Sequence, residues 1–219
     1  MSDTNINLDF SKSLIIETEL MDWSPSPLKG VERRRLEREE AEAGRATSIV
    51  RYAPGSSFSS HIHGGGEEYL VLEGTFSDQS GDYGEGYYVR NPPGSSHAPH
   101  SEKGCTIFVK LCQMQETGEP QLNIDTNQTD WIAGESKGHS LMPLFENERE
   151  VVQLDKLVPG SELELETNDK RIEILMLDGE AELDGKSLGK STWIRLPIAS
   201  KAVMKTKSEC RFWSKRGNI

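Results

Sequence analysis

Short apolar runs with period-2 alternation, closed by glycine or proline, recur along the whole chain and predict strands. A first set covers Ala46–Tyr52, Ser57–His63, Glu68–Glu73, Gly86–Arg90 and Thr106–Leu111. A second covers Val151–Lys156, Ser161–Glu166, Ile172–Asp178, Glu180–Leu183, Ser191–Leu196 and Arg211–Ser214. Thr75–Tyr83 reads as a hairpin arm and Asp184-Gly185 as a tight turn. The spacing is that of an all-β barrel or sandwich. Glu32–Gly44 departs from the pattern. There Arg33, Arg34, Arg35 and Arg38 interleave with glutamates, which reads as a charged, solvent-facing segment, either a short helix or an ordered arm.

The second set of strands repeats the first. Gly55, Gly74, Arg90, Pro92, Cys105 and Lys110 recur 105 residues later as Gly160, Gly179, Arg195, Pro197, Cys210 and Lys215. Tyr-Leu-Val-Leu-Glu-Gly at 69–74 returns as Ile-Leu-Met-Leu-Asp-Gly at 174–179, and Asp22-Trp23 returns as Asp130-Trp131 at an offset of 108. A near-constant offset across glycines, prolines and apolar positions marks an internal duplication. Two copies indicate a fused pair of domains, because a solenoid needs several units to bury its core. The expected division is residues 1–115 and 116–219, with Glu116–Pro120 as the linker.

Composition narrows the partners. The chain has 219 residues, 28% of them charged, and its net charge is −11. That acidity weighs against nucleic acid, which demands a basic patch, and against anionic membranes. Long-range steering also disfavours anionic ligands, so a neutral or weakly acidic small molecule is the expected one. No run approaches the roughly 18 apolar residues of a membrane helix, and Met1–Asn7 lacks the regions of a signal peptide. The three cysteines, Cys105, Cys112 and Cys210, form no Cys-x-x-Cys. Together these features predict a cytoplasmic protein. Cys105 and Cys210 are repeat-equivalent and read as buried strand residues, whereas Cys112 has no counterpart. Oligomeric state is open, a homodimer included.

The candidate chemistry lies in His61, His63, Glu67 and His97. Two histidines one residue apart on a strand project to the same face. Glu67, after a glycine turn, can close on that pair. His97, placed by the Pro92-Pro93-Gly94 turn, can complete a pocket of three nitrogens and one oxygen. This donor set suits a divalent transition metal and leaves positions open for water or a ligand. Zinc ranks first, with iron, nickel or manganese as alternatives. In the second repeat the equivalent positions are Glu166, Asn168, Ile172 and Ala202, which hold no such set. One metal per chain, in the first half, is the expectation.

These residues resemble the two motifs of the cupin superfamily. The first, G-x5-H-x-H-x3-E-x6-G, is met by Gly55, His61, His63, Glu67 and Gly74. The second, G-x5-P-x-G-x2-H-x3-N, is met by Gly86, Pro92, Gly94 and His97, with Ser101 in place of the final Asn. The runs His61–Asp78 and Arg90–His97 further resemble the cupin domain of ChrR-type anti-sigma factors, over roughly Trp23–Leu111. The resemblance implies a jelly-roll barrel with metal ligands His61, His63, Glu67 and His97 inside it, and together with the internal repeat it gives an expectation of two tandem barrels, a bicupin.

Three functions fit. One is a ChrR-like module that binds or senses a small-molecule or oxidative signal. Another is a metal-dependent enzyme of the dioxygenase type. The third is a structural zinc barrel, since four protein ligands can saturate tetrahedral zinc. ChrR-type proteins carry a helical domain with a His-x3-Cys-x2-Cys zinc set. No such set occurs here and the residues before Trp23 are few, which speaks against direct sigma-factor binding. No catalytic residue is assigned. His100 reads as an exposed loop residue or one at the mouth of the site, Tyr69 as a packed aromatic, and Arg90 as part of a structural ion pair.

Overall fold

Period-2 alternation produces a chain built from strands. The computed structural model describes residues 5–40, 44–114 and 118–217. Its strands are β1 (Leu14–Glu17), β2 (Ser24–Pro25), β3 (Val31–Arg38), β4 (Ala46–Tyr52), β5 (Ser56–Ser57), β6 (His61–Ile62), β7 (Glu67–Asp78), β8 (Gly81–Gly84), β9 (Tyr87–Asn91), β10 (Ser96–His97), β11 (His100–Ser101) and β12 (Cys105–Leu111). They continue as β13 (Leu122–Asp125), β14 (Ile132–Ala133), β15 (His139–Glu146), β16 (Glu150–Leu157), β17 (Glu162–Glu166), β18 (Arg171–Asp178), β19 (Ala181–Leu183), β20 (Lys186–Leu188), β21 (Thr192–Leu196), β22 (Lys201–Thr206) and β23 (Cys210–Gly217). The class is all-β, and among the described residues no helix is long and apolar enough to cross a membrane.

Two compact units divide the chain, but not at one point. The first comprises the chain to Leu8 and Met21–Gln128; the second comprises Asp9–Leu20 and Thr129–Ile219. The large sheet of the first runs β13-β9-β7-β12-β4-β3-β2, and that of the second runs β1-β21-β18-β23-β16-β15-β14. Strand for strand these orders are the same, so the duplication seen in the sequence is a duplication of topology. Each edge strand comes from the segment that precedes the other unit. β1 lies ahead of the first unit yet pairs with β21, Leu14 opposite Arg195, while β13 lies ahead of the second yet pairs with β9, Leu122 opposite Arg90. The sequence boundary at 115/116 does not reflect this interleaving. Of the expected linker, residues 116 and 117 lie outside the described residues.

Alternation decides which side chains are inside. In the first unit Val31, Val50, Tyr52, Tyr69, Val71, Val89, Ile107 and Val109 form one apolar cluster, with Phe76 and Tyr83 from the arm. In the second, Ile172 and Ala202 are buried within the equivalent cluster beside Leu165, Ile174, Met204 and Phe212. The positions that carry Glu67 and His97 in the first repeat are therefore filled with core in the second.

The arginine-rich segment is a correction. Residues 32–38 belong to β3, neither helix nor solvated arm, although 41–43 lie outside the described residues. β3 pairs with β4 throughout, and a register irregularity between Arg35 and Glu37 lets Leu36 and Glu37 both bury completely. Charged residues tolerate this strand because its two faces bury different partners. Arg34 stacks over Trp23, 4.2 Å from the ring centroid, and Glu37 binds Arg45.

Candidate metal centre

The four predicted ligands come from three strands and the turn that follows the first of them. His61 starts β6, His63 follows it, Glu67 opens β7 and His97 ends β10. β6 pairs with β10 so that His61 stands directly opposite His97. In the second unit the equivalent ladder is continuous, from Glu162 opposite Lys205 to Glu166 opposite Lys201. In the first unit it breaks between Ser57 opposite His100 and His61 opposite His97, and the register shifts by one residue across the break. Without that shift Ser96, not His97, would face His61. A one-residue slip reverses which face a side chain occupies, so the irregularity itself aligns the two imidazoles.

His63 is clamped by its backbone. Its N–H donates to the Ser95 carbonyl and its carbonyl accepts from Gly94, both at 2.9 Å. The glycines that follow divide in role. Gly66 has φ +75°, and a Cβ there would lie 2.4 Å from the Met114 sulfur; a Cβ on Gly65 would lie 2.7 Å from Cys112 Cα. Both let residues 112–114 pack back, where Cys112 N–H and Met114 N–H donate to the Gly66 and Gly65 carbonyls. Gly64 alone faces open space.

Ligand atoms of His61, His63, Glu67 and His97 lie within 4.8 Å of one another, and all but His61 are buried. The histidine tautomers follow from their outer hydrogen bonds. His97 Nδ1 lies 3.2 Å from Asp78 Oδ2, which only accepts, so Nδ1 donates. Ser95 Oγ donates to the Pro92 carbonyl at 2.6 Å; its proton is spent, and it accepts from His63 Nδ1 at 3.0 Å. His61 Nδ1 donates to the Ser59 carbonyl at 3.2 Å. All three rings thus aim an Nε2 lone pair at a common point.

Glu67 Oε2 lies 3.5 Å from His63 Nε2 and 3.3 Å from His97 Nε2. These are acceptors facing acceptors. The Nε2 atoms of His63 and His97 are buried without a hydrogen-bond partner. Such an arrangement is stable only around a cation or a proton, and three neutral imidazoles with one carboxylate fit a divalent metal. With no cation present, burial raises the Glu67 carboxyl to about 7 and lowers His63 to about 4, and it also lowers His97.

Beyond the four, a relay absent from the sequence reading supports Glu67. Asn91 Nδ2 donates to Glu67 Oε2 at 3.0 Å, and Gln121 Nε2, just ahead of β13, donates to Asn91 Oδ1 at 2.8 Å. Asn91, Gln121, Asp78 and Ser95 carried no local signal, since amides, acids and hydroxyls occur throughout turns. Tyr69 is packed at 4.8 Å from the Phe76 ring as expected, its hydroxyl buried without a partner. Arg90 forms the expected buried ion pair with Glu68 at 3.0 Å, joined by Glu119 at 3.1 Å. His100 is exposed on β11, outside the cluster. Cys105 and Cys210 are buried, and Cys112 is exposed with φ 56°.

A cavity of about 580 Å³ opens beside the cluster, lined by His61, His63, Glu67, Gly64 and Cys112 and by an apolar wall that includes Val50, Phe58, Val109 and Leu111.

Comparison with known proteins bears on the fold. Residues 11–115 match the family described as the ChrR cupin-like domain. No curated protein matches the chain. Among solved structures, a putative dioxygenase from Nostoc punctiforme superposes with a TM-score of 0.80 at 14% identity, covering 94% of this chain and 82% of its own. YlbA from Escherichia coli gives 0.75 at 16% identity over 100% and 96%. The Escherichia coli pirin YhhW, solved in complex with nickel(II), gives 0.71 at 11% identity over 94% and 98%. Identities this low speak for the fold alone.

Proposed function

We propose, from the premise that the chain belongs to the cupin superfamily, that its first half is a mononuclear divalent-metal centre that binds a small molecule from the adjoining cavity. On this reading the protein is a bicupin of the binding or sensing kind, in keeping with the ChrR likeness of residues 11–115, and its second half is a metal-free copy retained as architecture. The observation that carries the proposal is the convergence of three Nε2 lone pairs and one buried carboxylate at the wall of an open cavity.

A bound metal would supply Lewis acidity and exchangeable coordination positions. The chain's own residues do the rest. Asp78, Ser95 and the Ser59 carbonyl fix the imidazole tautomers. Asn91 turns the Glu67 carboxylate towards the rings. The apolar wall keeps water from competing with a ligand. A closed structural zinc site would have no reason to abut so large a cavity.

The test uses cobalt-substituted protein. The expected result is about one metal per chain and a visible spectrum that changes when azide is added. A spectrum indifferent to azide and to every other small ligand tried would leave a sealed structural site and overturn the proposal.

A further inference from the structure

Tyr69 is 1% exposed, and its hydroxyl meets no hydrogen-bond partner among the described residues. An unpaired buried hydroxyl is costly, and such groups are ordinarily completed by a bound molecule. Strand geometry places this one. Tyr69 follows Glu67 by two residues on β7, so the two side chains share a face, about 7 Å apart along the strand. Tyr69 stands opposite Val109, and directly opposite residues share a face. Val109 and Glu67 both line the cavity. The Tyr69 ring packs 4.8 Å from Phe76 and 6.3 Å from Tyr83, and Phe76 lies 6.0 Å from the His97 ring. The phenol therefore sits in the interior beside the ligand cluster.

The carboxylates around it are engaged elsewhere. Asp78 accepts from the Ser80 N–H, the Tyr83 hydroxyl and His97, and Glu67 Oε2 accepts from Asn91. Burial, and then the Glu67 carboxylate, hold the Tyr69 phenol well above its ordinary range, so it keeps its proton to donate. The second unit shows what the fold alone requires. At the offset of 105, Tyr52, Phe58, Tyr69, Phe76 and Tyr83 become Leu157, Leu163, Ile174, Ala181 and Leu188. The registers agree: Tyr69 opposite Val109 answers to Ile174 opposite Ser214, and Phe76 opposite Tyr83 to Ala181 opposite Leu188. All five replacements are buried in the second core. The same strand order closes on aliphatic side chains where the four ligands are missing, and on phenols where they are present. A hydroxyl that neither the fold nor a protein partner needs points to a bound molecule.

We infer that the Tyr69 hydroxyl is a ligand-binding group of the His61–His63–Glu67–His97 centre, donating to a small anion held there that keeps a lone pair facing the interior. The inference rests on the proposed metal-binding role of the four residues and adds a specificity group and the charge of the ligand. A hydrogen bond to a charged acceptor is stronger than one to a neutral acceptor, so the phenol selects anions over neutral molecules. This refines the neutral or weakly acidic ligand expected from the net charge of −11: a weak acid, bound as its anion. Long-range repulsion slows encounter, whereas affinity is set by the buried groups the ligand meets.

Titration of the cobalt-substituted parent and Tyr69→Phe with azide and with imidazole, followed in the visible spectrum, tests this. Both probes coordinate through nitrogen, but only azide keeps lone pairs on that atom once bound. The variant should lose about tenfold in azide affinity, with imidazole affinity and cobalt stoichiometry unchanged. Its metal-free form should melt no lower than the parent, because the group removed has no protein partner. Unchanged azide affinity in a variant that holds cobalt overturns the inference and leaves the metal reading standing. Equal losses for azide and imidazole, or a metal-free variant that melts lower or fails to fold, would assign the hydroxyl to the fold and overturn the inference as well. A parent that holds no cobalt, or whose spectrum ignores every ligand, overturns the proposed function itself and the inference with it.

Discussion

Replacing Asn91 by alanine should weaken metal binding without touching a metal ligand. Its amide donates 3.0 Å to Glu67 Oε2 and accepts 2.8 Å from Gln121. Deleting it frees the carboxylate to rotate and leaves one buried oxygen less well oriented. Loss of an outer partner of this kind costs about 10–100-fold in metal affinity, or about 1.4–2.7 kcal/mol. Gln121→Ala should cost less, about 1 kcal/mol, because Asn91 itself remains and one hydrogen bond is lost. Competition for zinc against a chromophoric chelator measures both. If the three side chains act in series, the Gln121→Ala effect should vanish in an Asn91→Ala background. Asn123→Ala is the control: it lies on β13 and its amide reaches the Tyr83 hydroxyl at 3.4 Å, away from Glu67. Zinc affinity within twofold of the parent in Asn91→Ala, or full additivity in the double variant, would refute the relay.

Three further outcomes are expected. Elemental analysis should give about one metal per chain, falling towards zero in the His61→Ala, His97→Ala double variant; two metals per chain would contradict the loss of ligands at Glu166, Asn168, Ile172 and Ala202. Chelation should lower a thermal transition by on the order of 5–10 °C, since a ligand at 100 times its dissociation constant adds roughly 2.7 kcal/mol, and no shift would mean that the cluster holds no metal in solution. The raised Glu67 carboxyl, at about 7, keeps a proton at pH 6 that the metal must displace, while His63, lowered to about 4, is already neutral. Calorimetry in buffers of different ionisation enthalpy should therefore find about one proton released per zinc at pH 6 and close to none at pH 8; equal counts would be incompatible with that assignment. The same shifts set opposing trends in the metal-free protein: the Glu67 contribution to stability is lost as pH rises from 4.5 through 7, and that of His63 as pH falls from 6.5 through 4.

The candidate ligands were readable in the sequence because a metal site would impose spacing that few other demands impose. His61, His63, Glu67 and His97 sit between glycine and proline brackets, and the structure brings their ligand atoms together. The repeat was readable because glycines and apolar positions recur at one offset. Asn91 and Gln121 were not, since a hydrogen-bond relay fixes no residue type at a regular interval. β3 was misread because three consecutive arginines suggest solvent, whereas strand geometry hides Arg33 and shows Arg34 to Trp23. The crossed edge strands were not readable, because local patterning cannot say which of two similar edges a strand will join.

That crossing has a consequence for how the chain is made. β13 follows its partner β9 closely, so the first unit can complete its sheet as soon as β13 leaves the ribosome. β1 is different. It is synthesised about 180 residues ahead of β21, Leu14 being opposite Arg195. At roughly 5–20 residues per second it waits on the order of 10–35 s for the edge it belongs to. During that interval the only similar edge on the ribosome is β9 of its own first unit, which β13 must claim. The order of synthesis thus sets two strands of similar pattern, Leu-Ile-Ile-Glu and Leu-Asn-Ile-Asp, in competition for one edge, and on crowded polysomes the unpaired β1 of one nascent chain can meet the finished β21 of another. Concentration-dependent exchange of this segment between chains is the misassembly to which this architecture is predisposed.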